Sequence, residues 1–225
     1  MPDSPYPQAR PEHSPWYRCV PSCYPPRQLW DDYASADEFE AAALIEGFTS
    51  DRLRAEQTAL SSIPLNERMF GDGASPVMAA FCYPNPDGSR FSPGNYGVYY
   101  AAESVHTAAT EVGYHRRRFW LDNPTLARRQ HFRIYRTEVA QALINIRSEA
   151  TGGPLHDPES WVLSQAFGQN AFESGSWGIH YRSVRRAGSE CIALLRPLAS
   201  TPAVQTSHLL MEFDGERVSV SPARG

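Results

Sequence analysis

The chain reads as an α+β domain and not as a doubly wound α/β sheet. Short alternating segments that suit strands outnumber the helical ones, and the helical segments are few and separated instead of following each strand in turn. No internal repeat appears. With 225 residues, 41% hydrophobic and 12% aromatic, there is material for one sizeable core plus an appendage.

Residues 1–34 carry many Pro, Tyr and Trp residues, among them Trp16, Tyr17, Tyr24 and Trp30. They read as an irregular arm that lays its aromatics on a body. Ser35 is the expected N-cap of a helix with Asp37 and Glu38 in its first turn, an apolar face of Phe39, Ala42, Ala43 and Ile45, and a stop at Gly47. A second helix is expected from Asp51 to Leu60. From Leu65 the texture changes to strands and loops. A strand is predicted over 96–101, and a helix capped by Ser104 runs to Arg118 with Val105, Ala108, Ala109 and Val112 inward. Residues 131–139 alternate as a half-exposed strand. Asp157-Pro158-Glu159 is expected to open a helix. Strands follow over 178–184 and 190–196, and a hairpin turns on Asp214-Gly215. The expected domains are an arm with a helical extension (1–64), a catalytic body (65–200) and a C-terminal hairpin packed on it (201–225).

Charge and composition exclude several classes. The net charge is −4 and all 21 basic residues are arginine, so a P-loop lysine and Schiff-base chemistry are ruled out and bulk electrostatics give no reason to expect nucleic-acid binding. The Pro-rich N-terminus is not expected to be a signal peptide, and no apolar run reaches the ~20 residues of a membrane span. Cys19, Cys23, Cys82 and Cys191 read as reduced structural thiols of a cytoplasmic protein. Cys19 and Cys23 lack a second pair that would complete a metal site, and the scattered histidines form no H-E-x-x-H pattern, so no metal is expected.

The chemistry concentrates between Gly88 and His115. A polar Gly/Pro loop holds Arg90, a short aromatic strand holds Tyr100, and the helix after it holds Glu111 among small neighbours. A guanidinium in such a loop suits phosphate or carboxylate, and a carboxylate over an open helix face suits a developing cation. Taken singly, each has an ordinary structural reading: a solvated loop arginine, a core tyrosine, a surface glutamate. Ser183, at a strand end in GIHYRSVRR, and Arg68, before a Gly-rich turn, join the candidates. The turn after Arg68 is not a P-loop, and there is no G-x-S-x-G nucleophile motif.

Together these residues resemble the RES-domain family. Its G-R-W-N-x-x-G loop, L-Y-x-A-E-S strand and A-x-x-E-V helix are similar to Gly88–Gly94, Tyr99–Ser104 and Ala108–Val112 here, with eleven positions from Tyr100 to Glu111. The G-I-x-Y-x-S-x-R element resembles Gly178–Arg185, followed by a final core strand over Cys191–Pro197. The loop departs in having Phe91-Ser92 for Trp-Asn and one residue inserted before Arg90. The resemblance spans about residues 65–197.

The resemblance implies an ADP-ribosyltransferase-like core of facing β-sheets with a cleft between them. It implies a toxin of a bacterial toxin–antitoxin pair that consumes NAD as substrate, not as cofactor, with inorganic phosphate or water as acceptor. The implied partner is an Xre-type helix-turn-helix antitoxin that blocks the cleft, in a complex where the toxin is a homo-oligomer. On that chemistry Glu111 would stabilise an oxocarbenium-like ribose, Arg68 and Arg90 would hold the pyrophosphate, and Tyr100 and Ser183 would contact nicotinamide or ribose. Two other readings stand beside it: a mono-ADP-ribosyltransferase with a protein acceptor, and a non-catalytic interaction module.

Overall fold

The computed structural model describes residues 5–23, 30–35, 37–38 and 63–223. Among these are nine strands: β1 (Gln8–Ala9), β2 (Trp16–Pro21), β3 (Tyr99–Ala102), β4 (Arg129–Thr137), β5 (Leu143–Asn145), β6 (Gly178–Arg182), β7 (Glu190–Leu194), β8 (Val204–Phe213) and β9 (Val218–Pro222). Three α-helices accompany them: α1 (Ser75–Cys82), α2 (Val105–Asp122) and α3 (Val162–Glu173). The chain is thus α+β, as its segment pattern predicts. The helix expected from Ser35 is described only at its start, where Ser35 Oγ accepts from the Glu38 N–H at 3.2 Å and the Glu38 carboxylate accepts from the Ala34 N–H at 2.8 Å. Its remainder and the helix expected from Asp51 lie outside the described residues.

The strands join in the order β1-β5-β6-β7-β3-β2-β4-β8-β9. All neighbours are antiparallel except β5 and β6. β2, from the described part of the expected arm, lies between β3 and β4 near the middle of the sheet. The C-terminal hairpin β8–β9 forms one end of the same sheet. Alternation along each strand feeds two cores. Tyr99 and Ala101 face α1, Trp16 and Trp30, whereas Tyr100 and Ala102 face α2 and α3.

One joint in this sheet differs from the others. β3 and β7 pair over four residues, and β2 and β4 over six, but β2 and β3 share the single pair Tyr17–Ala102. Beyond that rung the strands part. The sheet is thus two halves, β1-β5-β6-β7-β3 and β2-β4-β8-β9, and Arg18 reaches across the parting to donate from Nη1 to Tyr100 O at 3.1 Å.

Element ends shift from expectation for local reasons. β3 begins at Tyr99 because Tyr96 is committed to the loop before it, its hydroxyl donating to Phe91 O at 2.5 Å and its ring stacking on Phe172 at 4.1 Å. α2 starts at its predicted Ser104 cap, whose hydroxyl accepts from the Thr107 N–H at 3.1 Å, but continues to Asp122. The extension buries Trp120, which stacks on Phe213 and donates from Nε1 to Ala127 O at 2.9 Å. Burial of that ring contributes roughly 2–3 kcal/mol. Asp157 does not open a helix. Its carboxylate accepts the N–H groups of Glu159 and Ser160 at 2.7 and 3.0 Å, closing a turn, and α3 starts only at Val162.

Candidate active site

The loop from Gly88 to Gly94 is held from three sides. Tyr100 anchors it, its hydroxyl accepting from the Phe91 N–H at 3.0 Å and donating to Ser89 Oγ at 2.8 Å. Gln165 of α3 donates from Nε2 to Ser89 O at 3.1 Å. Gly88 has φ +79°, and a Cβ there would meet Gln165 Nε2 at 2.8 Å, so the turn requires glycine. Phe91 and Ser92, where the loop departs from the family pattern, are both anchored. Phe91 is fully buried against Tyr181, and Ser92 Oγ donates to Tyr96 O at 2.7 Å. Burial pushes the Tyr100 hydroxyl up to about 12, so it stays protonated and serves the loop.

That loop delivers Arg90, which is 8% exposed. Its Nη1 donates to Leu155 O and Asp157 O at 3.4 and 2.9 Å. Both partners are neutral carbonyls, and among the described residues no carboxylate pairs with Arg90. Its charge is therefore left for a ligand. Arg18 is in the same condition: Nη1 holds Tyr100 O, the guanidinium lies 4.7 Å over the Tyr99 ring, and Nε is buried with no hydrogen-bond partner.

Glu111 comes from the face of α2 that carries Ala108 and Val112. Ser183 Oγ donates to Glu111 Oε1 at 2.5 Å. Ser183 is itself fixed, because the same oxygen accepts the N–H groups of Arg186 and Arg185 at 3.0 and 3.3 Å. Arg186 then ties this turn to the start of α2 through Thr107 Oγ1 at 3.2 Å. Glu111 is thus aimed by a neutral hydroxyl in a rigid turn, and Oε2 has no protein partner among the described residues.

Glu111, Arg90, Arg18, Tyr100, His115 and Arg185 line one cavity of about 380 Å³. Its volume is near the lower end of the range for small-molecule sites, about 300–1,000 Å³. Cys19 and Cys191 also line it; burial pushes the first thiol up to about 12 and the second well above its ordinary value, so neither is a ready nucleophile. The arrangement, one carboxylate among guanidiniums with no acidic partner or only a distant one, suits an anionic ligand with a centre on which positive charge develops.

The structure brings together Arg90, Tyr100, Glu111 and Ser183, but not Arg68. Arg68 follows the 3₁₀ turn Leu65–Glu67, its Nε donates to Ile63 O at 3.1 Å, and it lines neither this cavity nor the larger one beside it. Arg18 stands where a second guanidinium was expected. No local pattern in the sequence marks it, because residues 1–34 read as an irregular arm and not as a strand of the sheet. Away from the cavity, His13, Glu103 and Glu190 come close enough to suggest a cation, but Glu190 is already held by Arg147 at 2.5 Å and His180 at 2.8 Å.

Fold and cavity together define an α+β protein with a cleft lined by one carboxylate and several guanidiniums at the parting of its sheet. The model of the RES domain matches residues 67–214, and the chain belongs to that family. It is similar to the Uncharacterized protein y4oC of Sinorhizobium fredii (strain NBRC 101917 / NGR234), 28% identical over 207 residues that cover 91% of this chain and 85% of the relative. Among solved structures it resembles a chain of the M. tuberculosis MbcT–MbcA toxin–antitoxin complex, with TM-score 0.40 and 15% identity over 55% of this chain and 71% of that one. The family assignment rests on the domain match and not on this last likeness.

Proposed function

We propose that the protein cleaves the nicotinamide–ribose bond of NAD and acts as the toxin of a toxin–antitoxin pair. The supporting observation is the shared cavity in which Glu111, fixed by Ser183, faces the unneutralised guanidiniums of Arg90 and Arg18. Breaking the C1–N bond sends the electron pair to nicotinamide, which leaves neutral, and leaves an oxocarbenium-like ribose. The Glu111 carboxylate stabilises that cation, as carboxylates do in glycosidases. Water or inorganic phosphate then forms the new C–O bond, and an attacking water loses its proton to the solvent or to Glu111. Arg90 and Arg18 take the pyrophosphate, and the Tyr100 ring forms part of the wall. Ser183 acts through Glu111, not on the ligand. NAD is a substrate here, and no metal or cofactor enters the reaction.

In this reading the antitoxin is a small helix-turn-helix protein of the Xre type whose tail covers the cleft, and the toxin is a homo-oligomer in that complex. The site is in the cytoplasm, where NAD is found; no helix among the described residues is long and apolar enough to cross a membrane. The test is nicotinamide release from NAD by purified protein, with the product identified by mass spectrometry. ADP-ribose indicates water as acceptor and its 1″-phosphate indicates phosphate. Label on a protein band would convert the reading to ADP-ribosyl transfer, and no nicotinamide release under any of these conditions would refute it.

A further inference from the structure

Beside the Glu111 cavity lies a larger one, of about 830 Å³. Its floor is the half of the sheet on the other side of the parting. Arg18 of β2 faces Tyr135 of β4 across the strands, Tyr135 faces Gln205 of β8, and Arg133 faces Val20. Its wall is α1, where Ser75, Ala79 and Ala80 leave room and Tyr83, 43% exposed, stands at the rim. Four residues line both cavities: Arg18, Asn85, Ser89 and Tyr100. The two are therefore adjacent compartments that meet where β2 and β3 separate, with the Arg18 guanidinium at the junction.

The proposed reaction needs room for a dinucleotide, and the Glu111 compartment is small for both halves of one. The second compartment offers what a purine nucleotide half would use: tyrosine faces for the base, the Gln205 amide for its edge, and the Arg18 guanidinium at the junction toward the phosphates. We infer that the larger cavity holds the adenosine half of the substrate, so that the dinucleotide crosses the parting of the sheet with its pyrophosphate at Arg18. This rests on the NAD reading above and sharpens it: recognition comes largely from a compartment that holds no reacting atom.

The test uses the full chain and two substitutions that fill the cavity from opposite walls, Ala79→Trp on α1 and Gln205→Trp on the exposed β8 position, each checked for an unchanged melting temperature. AMP is the probe, measured by calorimetry, and NAD kinetics are measured in parallel. Expected are AMP binding by the native protein, at least tenfold weaker AMP binding in each folded variant, and an NAD KM raised at least tenfold with kcat changed less than threefold. AMP affinity and NAD KM that survive both substitutions overturn the inference while leaving NAD cleavage standing. Loss of AMP binding in a protein that releases no nicotinamide would keep the compartment and refute the reaction.

Discussion

Glu190 is held between two basic groups, Arg147 at 2.5 Å and His180 at 2.8 Å, whereas Glu111 is held by the neutral hydroxyl of Ser183 at 2.5 Å. The arginines divide the same way. Arg147 and Arg196 meet the carboxylates of Glu190 and Glu67, while Arg90 and Arg18 meet backbone carbonyls. Where charges cancel inside the protein, they fix the fold. Where neutral groups hold them, orientation is secured and the field stays available to a ligand. One chain thus uses the same side-chain types for two purposes, and the neighbour decides which.

The largest test of this contrast is Glu111→Gln. It should reduce nicotinamide release by about 10²- to 10³-fold with no change in melting temperature, and a variant that keeps native turnover would break the distinction. Arg90→Ala should raise the KM for NAD by roughly 10- to 100-fold, the worth of a lost charge-assisted contact, with a smaller effect on kcat. An unchanged KM in steady-state assays would remove Arg90 from the site. Ser183→Ala should lower kcat about tenfold and leave KM near native, because the hydroxyl aims Glu111 and does not touch substrate. A rise in KM alone would instead place Ser183 on the ligand.

The smallest expected effect on activity belongs to the internally cancelled carboxylate. Glu190→Gln should leave NAD turnover within about twofold and cost roughly 1–2 kcal/mol of stability, read from denaturant unfolding. Burial pushes the Glu190 carboxyl up, but Arg147 and His180 outweigh it and hold the group below its ordinary value. A carboxylate lower in the folded than in the unfolded state stabilises above its unfolded value and loses that contribution as pH falls through the folded one. The native protein should therefore lose stability more steeply below about pH 4.5 than Glu190→Gln. Parallel curves of melting temperature against pH would show that the pair contributes nothing.

The sequence made this site legible where its parts are contiguous. Arg90, Tyr100 and Glu111 come from a loop, a strand and a helix that follow one another directly, so their order along the chain carries their order in space. Ser183 was visible because it closes a strand end. Arg18 was not, since it reaches the site through the insertion of β2 between β3 and β4, a pairing across more than eighty positions with no local signature. Arg68 illustrates the converse: its loop has the composition of a phosphate-binding turn, but the chain carries it to Ile63. α3 starts later than Asp157-Pro158-Glu159 predicts because Asp157 has the chemistry of a cap and uses it on a turn. The α+β class is legible from alternating segments and from helical ones that are few and separated; the parting of the sheet is not, because it depends on where pairing stops.

That parting has a kinetic consequence. A ladder fastened at Tyr17–Ala102 by one pair opens at lower cost than the longer ladders beside it, β3–β7 and β2–β4. Amides along the inner edges of the two strands should exchange with solvent deuterium sooner than those between β6 and β7. A nucleotide spanning the gap would act as a staple, slowing that exchange from both sides at once.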